Sequence, residues 1–446
     1  MVIDLVSFTI CYIISCFLSN AGSYLISGIL LCAEGIFLFL KNIRNERSFP
    51  DPKALFSFSW VFCMGISACK LSNLQGKWDS RTWLCFYLIF VCFLLVSGIV
   101  QKKLAGKKSG VSFPFRTYPA DVIPVIVTLT VISTVCFLVE ACILGYVPLF
   151  TTDTPHAYSY FHISGVHYFT VLFVLEPSFF VYYGLYREKN RKKDVIAVIC
   201  TVICFVLPLL LVSRFQLVFS ILLACFTYLI LKGYDAVNGL NKRNVILLLS
   251  GMLLLICCYV FLTVERAHSV EYLNGIFEMK DPDMPIFITQ PYIYVANNFD
   301  NFNCLVEQLP KHTLGLRQLF PVFALTGLKF KFPELVNFPI YVTKEELTTV
   351  TMFYDAYYDF GVPGCVVFSS LLGIIYAMTD HLIHRVKTAG TAVIASILYS
   401  CLFLAFFTTW FSNPTIWFYI FICVAIELVL WYFEAYKQKK GKNSHE

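Results

Sequence analysis

The chain has 446 residues, of which 58% are hydrophobic and only 14% are charged. Soluble globular proteins carry about 25% charged residues, so the composition excludes an ordinary soluble domain and predicts a membrane protein. The net charge of +6 does not indicate nucleic-acid binding, because the basic residues lie in short segments between apolar runs, where they set orientation. We therefore expect no nucleic-acid partner.

Apolar runs of about 17–25 residues recur along the chain, and each can cross a hydrocarbon core about 30 Å thick. They predict an all-α polytopic membrane protein with about twelve transmembrane helices. The first run has Asp4 near its head and no small-x-small cleavage site, so we expect a retained span and not a signal peptide. The predicted spans are 2–19, 22–40, 54–71, 83–100, 120–144, 166–186, 195–212, 215–231, 244–262, 363–383, 389–409 and 415–433.

A large polar and aromatic loop separates the first nine predicted spans from the last three. Most of the 34 Lys and Arg residues lie in six other segments that alternate with the spans. The positive-inside rule then predicts a multi-pass protein of the cytoplasmic membrane with both termini cytoplasmic and the large loop extracytoplasmic. The predicted regions are an N-terminal membrane bundle at 1–262, the large loop at 263–362, a C-terminal bundle at 363–436 and a basic cytoplasmic tail at 437–446.

The large loop has the composition of a folded helical lid, because aromatic and aliphatic residues occur throughout it. Apolar residues in Asn297–Leu309 recur at helical spacing. The segment Leu314–Phe332 is apolar with sparse basic residues, which is typical of a segment lying in the membrane interface. Thr343 followed by Glu346 fits a capping box and predicts a helix that runs toward Phe360.

Arg214 stands between two apolar runs, where a short turn would place it near the ends of two helices. A charge close to hydrocarbon is costly, so one interpretation is a guanidinium that grips a phosphate or pyrophosphate. The alternative is an arginine that reaches lipid phosphates. Glu265, Arg266 and His268 directly follow the ninth span. They are either a second anion-binding arginine beside a titratable histidine, or an interfacial anchor with a local ion pair.

Three histidines lie in or next to the loop before the sixth span, and their spacing matches no metal motif: His156, His162 and His167. No metal site is expected. His167 is a candidate because it lies near the mouth of a helix, although a histidine at a span end is commonly an interfacial side chain. Three scattered glutamates in or near spans are weak evidence for transport: Glu34, Glu140 and Glu176.

Asp355 and Asp359 lie four residues apart on a predicted helix and therefore share a face. Tyr354, Tyr357 and Tyr358 surround them. Aromatic rings stack on the apolar faces of pyranoses, and carboxylates accept hydrogen bonds or protons from hydroxyl groups, so the cluster is a candidate sugar site. The alternative is a solvated acidic face beside an interfacial aromatic belt.

Two stretches carry a resemblance to a known family. They are Pro291-Tyr292-Ile293-Tyr294 running into Asn297-Asn298-Phe299-Asp300-Asn301, and Thr351-Met352-Phe353 running into Tyr358-Asp359-Phe360-Gly361 and Gly364. With its many spans, its Ser213-Arg214 pair and its late large loop, the chain resembles the O-antigen polymerase (Wzy-type) family of oligosaccharide repeat unit polymerases. The Arg-x10-Gly pattern of some members is absent, because Cys225 and Phe277 stand at that spacing from Arg214 and Arg266.

The resemblance implies a GT-C-like membrane glycosyltransferase without a cofactor. It would transfer a growing glycan from one undecaprenyl pyrophosphate to a sugar hydroxyl of a new lipid-linked repeat unit. The product would be O-antigen of lipopolysaccharide, capsule or exopolysaccharide, made at the outer face of the membrane. The expected partners are undecaprenyl-pyrophosphate-linked oligosaccharides, membrane lipids and, from the family alone, a chain-length regulator and a flippase.

On this interpretation, the expected catalytic residues are Arg214, Arg266, Asp359 and His268. The group that takes or positions the proton of the acceptor hydroxyl stays open among Asp359, Asp355, His268 and His167. The expected substrate-binding residues are His167, Asp355, Tyr358, Tyr294 and Asn298. Three other classes stay open: a lipid-linked oligosaccharide flippase or other transporter, an O-antigen ligase-like glycan transferase, and a membrane scaffold without chemistry. Transporters usually show two similar halves, and this sequence shows none.

Overall fold

The computed structural model describes residues 2–46, 50–106, 121–151, 157–187, 190–233 and 270–443. Within these ranges the chain forms helices and no β-strand, apart from one isolated bridge between Ser72 and Met279. The fold is all-α, as the sequence predicts. In the same ranges, nine helices are long and apolar enough to cross a membrane.

The helices that precede residue 234 are α1 Val2–Asn20, α2 Tyr24–Glu46, α3 Pro52–Phe56, α4 Cys63–Ala68, α5 Ser80–Gly106, α6 Ile123–Leu144, α7 Ala157–Tyr160, α8 Val166–Thr170, α9 Glu176–Tyr186, α10 Arg191–Leu210 and α11 Arg214–Lys232. Those that follow residue 269 are α12 Val270–Phe277, α13 Ile286–Gln308, α14 Phe320–Leu325, α15 Leu328–Lys331, α16 Tyr354–Ile383, α17 Ala389–Phe403 and α18 Pro414–Asn443. A π-helical segment, Ser57–Phe62, joins α3 to α4, and short 3-10 turns occupy Pro148–Phe150, Val171–Val174, Pro333–Leu335 and Trp410–Ser412.

Nine of the predicted spans coincide with the long apolar helices of the described ranges. The predicted span 54–71 is instead a run of α3, the π-helical segment and α4. The predicted span 389–409 contains α17, whose 15 residues rise only about 22 Å. The predicted span 244–262 lies outside the described residues. The total of about twelve spans, the orientation and the four regions therefore stay predictions.

Contacts divide the chain into two compact units. Unit 1 is drawn from Met1–Gly110, Val270–Leu382 and Cys401–Trp417, and unit 2 from Val111–Ser269, Ile383–Ser400 and Phe418–Glu446. Both units are discontinuous in sequence. Helices α17 and α18 each contribute residues to both of them.

Helix α13 runs through the core of unit 1. The predicted helical stripe is confirmed, because Phe299, Phe302, Leu305 and Val306 are all buried on this helix. The helix also buries the carboxylate of Asp300. That carboxylate accepts hydrogen bonds from the side chains of Lys70, Gln75 (2.7 Å), Trp78 (2.8 Å) and Ser67 (3.1 Å).

The predicted capping box at Thr343 is wrong, because α16 begins only at Tyr354 and the residues from 343 to 353 form no helix. The Thr343 hydroxyl instead donates to the side-chain oxygens of Asn297 (2.9 Å) and Asn301 (3.1 Å). The Asn301 amide in turn donates to the carbonyls of Leu347 (2.7 Å) and Thr349 (2.8 Å). Side chains of α13 thus hold this segment in a non-helical path, where a local cap was expected.

Segment Leu314–Phe332 contains the short helices α14 and α15. Several of its apolar side chains are exposed: Leu314, Leu319, Val322 and Phe330. Exposed apolar side chains are what an interfacial segment would present to lipid. The location of this segment at a membrane interface stays a prediction.

Helix α16 begins earlier than the predicted span, at Tyr354, and bends at Gly361. Gly361 has φ 63° and ψ −145°, a conformation that is nearly restricted to glycine. A Cβ atom at this position would lie 3.0 Å from Nε2 of His312. The bend therefore depends on the absence of a side chain.

Gly361→Ala is expected to destabilise the protein by about 1–3 kcal/mol, because alanine adds backbone strain and a close contact with His312. The measurement is thermal unfolding of purified protein in detergent. Gly184→Ala is the matched control, since Gly184 lies in α9 at an ordinary φ and a Cβ atom there would meet nothing within 4 Å. Equal unfolding temperatures for the two variants would contradict the requirement for glycine at the bend.

In unit 2, polar contacts join helices that are otherwise apolar. The hydroxyls of Thr227 on α11 and Ser396 on α17 are 2.8 Å apart. Gly390 donates its N–H to the Glu427 carboxylate on α18 at 2.8 Å. Such contacts help to determine which helices pack against each other, because apolar surfaces alone select poorly among apolar neighbours.

Candidate functional site

A carboxylate and an imidazole meet at one end of unit 2. Glu140 lies near the end of α6 with a fully buried side chain, whereas the side chain of His167 in α8 is 31% exposed. Nδ1 of His167 lies 3.2 Å from each carboxylate oxygen of Glu140. The carboxylate also accepts the N–H of Ile163 (2.9 Å) and the hydroxyl of Thr170 (2.7 Å). Nε2 of His167 has no hydrogen-bond partner among the described residues.

Arg214 is the first residue of α11 and is only 7% exposed. The turn before it holds Val212 at φ 53°, a left-handed conformation that costs a branched residue about 1–3 kcal/mol. Ser213 makes no side-chain cap to the first turn of α11. Within the described residues, Oε1 of Gln216 is buried without a hydrogen-bond partner. A buried guanidinium at the start of a helix, next to an N-cap serine that makes no side-chain cap, is suited to hold a phosphate group.

The loop between α6 and α8 packs against the turn between α10 and α11. Val212 and Leu217 are buried there, and Leu149 and Tyr158 from the loop pack against them. Helix α6 ends at Gly145, whose φ of 79° lets the chain leave the helix into this loop. His167 and Arg214 therefore lie at the same end of unit 2.

An apolar groove with a volume of about 590 Å³ lies between α6, α18 and the segment that runs from α8 into the Val171–Val174 turn. Its lining is mostly hydrocarbon and includes Val125, Leu129, Ile132, Phe169, Ile426 and Leu430. Asp121 and Glu434 also contribute to the lining. A groove of this size and composition, lined mainly by candidate membrane spans, is suited to a lipid chain.

In unit 1, Asp359 ties a loop to helix α16. Its fully buried carboxylate accepts the Thr313 hydroxyl and the N–H groups of Arg317 (3.2 Å) and Gln318 (2.9 Å). Its backbone carbonyl accepts the N–H of Leu314, which has φ 54°. These contacts make Asp359 an anchor of the loop, and its expected role as a proton acceptor stays a prediction.

Arg317 joins the predicted acidic and aromatic cluster. Its Nε donates to Asp355 at 2.5 Å, and its guanidinium carbon lies 4.5 Å from the ring centroid of Tyr358 and 5.7 Å from that of Tyr354. Burial alone would lower the pKa of Arg317, but the Asp355 carboxylate outweighs it and raises the pKa above its usual value. The Tyr358 ring is covered by the guanidinium and only 2% exposed, so it offers no open platform for a sugar.

Asn298 and Tyr294 lie together on α13. The Asn298 amide donates to the carbonyls of Tyr294 (2.7 Å) and Phe406 (2.8 Å). Its side-chain oxygen is buried and has no partner among the described residues. The Tyr294 ring is partly buried, with its centroid 6.4 Å from that of Phe407. Binding of substrate by this pair stays a prediction.

The predicted site residues are distributed over both units. Unit 2 contains Arg214 and His167. Unit 1 contains two groups of predicted site residues. One is the cluster of Asp355, Tyr358 and Asp359, and the other is Tyr294 with Asn298, which contact each other on α13. Arg266 and His268 lie outside the described residues. The catalytic and binding roles of all these residues stay predictions.

Sequence reasoning missed two residues that the structure places in these clusters. Glu140 was interpreted as one of several scattered carboxylates, although a carboxylate near the end of one span and a histidine at the start of the next could have been paired. Arg317 is one of the sparse basic residues of the apolar segment Leu314–Phe332, and the sequence gives no reason to single it out. Its partner Asp355 is 38 residues away, and no local pattern connects the two.

No protein-family model, curated protein or solved structure matches the chain. Among the residues that the structure describes, no group of three or more His, Cys, Asp or Glu side chains is placed to hold a metal ion. What the protein does must therefore be inferred from its own residues.

Proposed function

We propose that the protein is a membrane glycosyltransferase that polymerises polyprenyl-pyrophosphate-linked oligosaccharide repeat units at the outer face of the cytoplasmic membrane. The observation that carries the proposal is Arg214, a buried guanidinium at the start of a candidate span. A pyrophosphate leaving group needs such a cation at a fixed position. The resemblance to the O-antigen polymerase family supplies the substrate class and stays part of the proposal.

In the proposed reaction, a hydroxyl oxygen of the acceptor repeat unit attacks the anomeric carbon of the donor glycan. The bond between that carbon and the pyrophosphate oxygen breaks, and the lipid pyrophosphate leaves with the electron pair. The hydroxyl proton passes to a base. Arg214 stabilises the charge that develops on the leaving group, which typically contributes on the order of 100-fold in rate.

Two further features of unit 2 support a lipid-linked substrate. The first is the set of candidate membrane spans, since a lipid carrier would move in the bilayer that such helices cross. The second is the apolar groove of about 590 Å³, which has room for part of a hydrocarbon chain and is lined by the first half of α6, away from the end that holds Glu140. A soluble nucleotide-sugar substrate would need neither feature.

The test is the length distribution of surface and lipid-linked glycan, resolved on a gel, from cells that lack this gene and from the same cells complemented with the wild type. Collapse to a single repeat unit that still reaches the outer acceptor is the expected result. Repeat units trapped at the cytoplasmic face would favour a flippase. Full-length glycan that no longer reaches its acceptor would favour a ligase, and an unchanged ladder would contradict all three.

A further inference from the structure

The two side chains of the Glu140–His167 pair differ in their exposure to solvent. Glu140 is enclosed, with no exposed side-chain surface, whereas the His167 ring is 31% exposed. One nitrogen of the ring, Nδ1, faces the carboxylate at 3.2 Å. The other nitrogen, Nε2, has no partner within the described part of the chain. A neutral imidazole that donates from Nδ1 to a carboxylate carries its lone pair on Nε2, where it can accept a proton.

The Glu140 carboxylate has hydrogen-bond partners on the loop after α6 and on α8. Among the described residues, its oxygens accept the Ile163 N–H at 2.9 Å and the Thr170 hydroxyl at 2.7 Å. Nδ1 of His167 lies 3.2 Å away and donates to the carboxylate in the tautomer that carries the proton on Nδ1. A carboxylate held by several donors has little freedom to rotate, so it fixes the plane and the tautomer of the imidazole. The arrangement matches a base oriented by a carboxylate.

We propose that His167 is the general base that takes the proton from the acceptor hydroxyl, and that Glu140 is the positioning residue that sets its tautomer and orientation. The inference rests on the proposed function, since it assigns the proton transfer of that reaction. When the hydroxyl oxygen bonds to the anomeric carbon, its proton moves to Nε2, and Glu140 stabilises the resulting imidazolium through Nδ1–H. The imidazolium later releases the proton to water.

If Glu140 only anchored the loop and α8, the contact with His167 would have no evident purpose. The Ile163 N–H and the Thr170 hydroxyl already hold the loop and α8 to Glu140. An additional partly exposed imidazole would add little to that anchor. Titratable groups near the pair in the described part of the chain include His162, whose ring centroid lies 6.3 Å from that of His167, Cys136 on α6, and Tyr168, which follows His167 in the sequence.

The test is glycan transfer by the purified full-length protein from a synthetic polyprenyl-pyrophosphate-linked repeat unit, with kcat and KM measured as functions of pH. His167→Ala is expected to lower kcat by about 10²–10⁴-fold with little change in KM. Glu140→Gln is expected to lower kcat by about 10²-fold or more, because an amide can stabilise the wrong tautomer and cannot stabilise the imidazolium. Glu140→Asp, which keeps the charge, should recover part of the loss.

Rescue by charge separates positioning from support of the fold. Glu140→Gln keeps the size of the side chain and loses its charge, whereas Glu140→Asp keeps the charge and shortens the side chain. If Glu140 positions the base, kcat should be lower in Glu140→Gln than in Glu140→Asp, and the unfolding temperatures of the two variants should not follow that order. His162→Ala is the matched control: it removes the neighbouring exposed imidazole and should leave kcat unchanged.

Two results would overturn the inference in different ways. If the wild type transfers glycan and both His167→Ala and Glu140→Gln keep its kcat, the base and positioning roles are wrong while the proposed function stands. If the wild type transfers no glycan from any lipid-linked donor, the proposed function is wrong and the inference falls with it. Monodisperse elution of each variant from a sizing column excludes loss of fold as the cause.

Discussion

Asp300→Asn is expected to lower the free energy of unfolding by about 3–5 kcal/mol, because the change leaves a buried ammonium without its counterion. The side chains of Lys70 and Asp300 are only 1% and 3% exposed. The Lys70 ammonium also lies 3.9 Å from the centroid of the Trp78 ring, which cannot replace the lost carboxylate as a counterion. Lys70 adopts φ 52°, so the ion pair also holds a strained backbone turn.

Thermal unfolding in detergent measures this effect, and the same unit provides a matched control. Lys344 and Glu278 form an ion pair at 2.7 Å whose side chains are 25% and 43% exposed. Glu278→Gln should cost only about 0–1 kcal/mol, because water and salt screen an exposed pair. A loss for Asp300→Asn no larger than that of Glu278→Gln would show that burial of the Lys70 charge is compensated by other groups.

Arg214→Ala is expected to reduce the rate of glycan transfer by about 10²–10³-fold and to shorten the glycan ladder toward single repeat units. The physical reason is the loss of a fixed cation at the leaving pyrophosphate. Arg214→Lys keeps the charge but lacks the planar fork that binds two phosphate oxygens, so it should retain only part of the activity. Transfer rates are measured on purified protein, and ladder lengths on complemented cells.

Arg191→Ala is the matched control for Arg214→Ala. Arg191 also begins a candidate span of unit 2, helix α10, but its side chain is exposed where that of Arg214 is buried. Its removal should leave the ladder at full length. If Arg214→Ala is expressed and monodisperse and still makes full-length glycan, the role of Arg214 at the leaving group is wrong.

Local features were predictable because their causes are local. The second half of α13 follows from the apolar residues at helical spacing in Asn297–Leu309, and Asp355 and Asp359 share a face of α16 because they are four residues apart. Thr343 shows the limit of that reasoning. The sequence has the capping pattern, but no helix begins there. The Thr343 hydroxyl donates instead to the carboxamide oxygens of Asn297 and Asn301, and the Thr343 N–H donates to that of Asn301.

The sequence by itself determined the all-α class, the nine candidate spans of the described ranges and the position of Arg214 at the start of one of them. It could do so because the length and apolar character of a short stretch decide whether a helix can cross a bilayer. Only the tertiary structure decided which polar groups meet. Glu140 is 27 residues from His167, and Asp300 is 230 residues from Lys70. Such pairs form because a charge buried among apolar helices is costly unless it finds a partner, and the packing of the whole unit determines which partner is within reach.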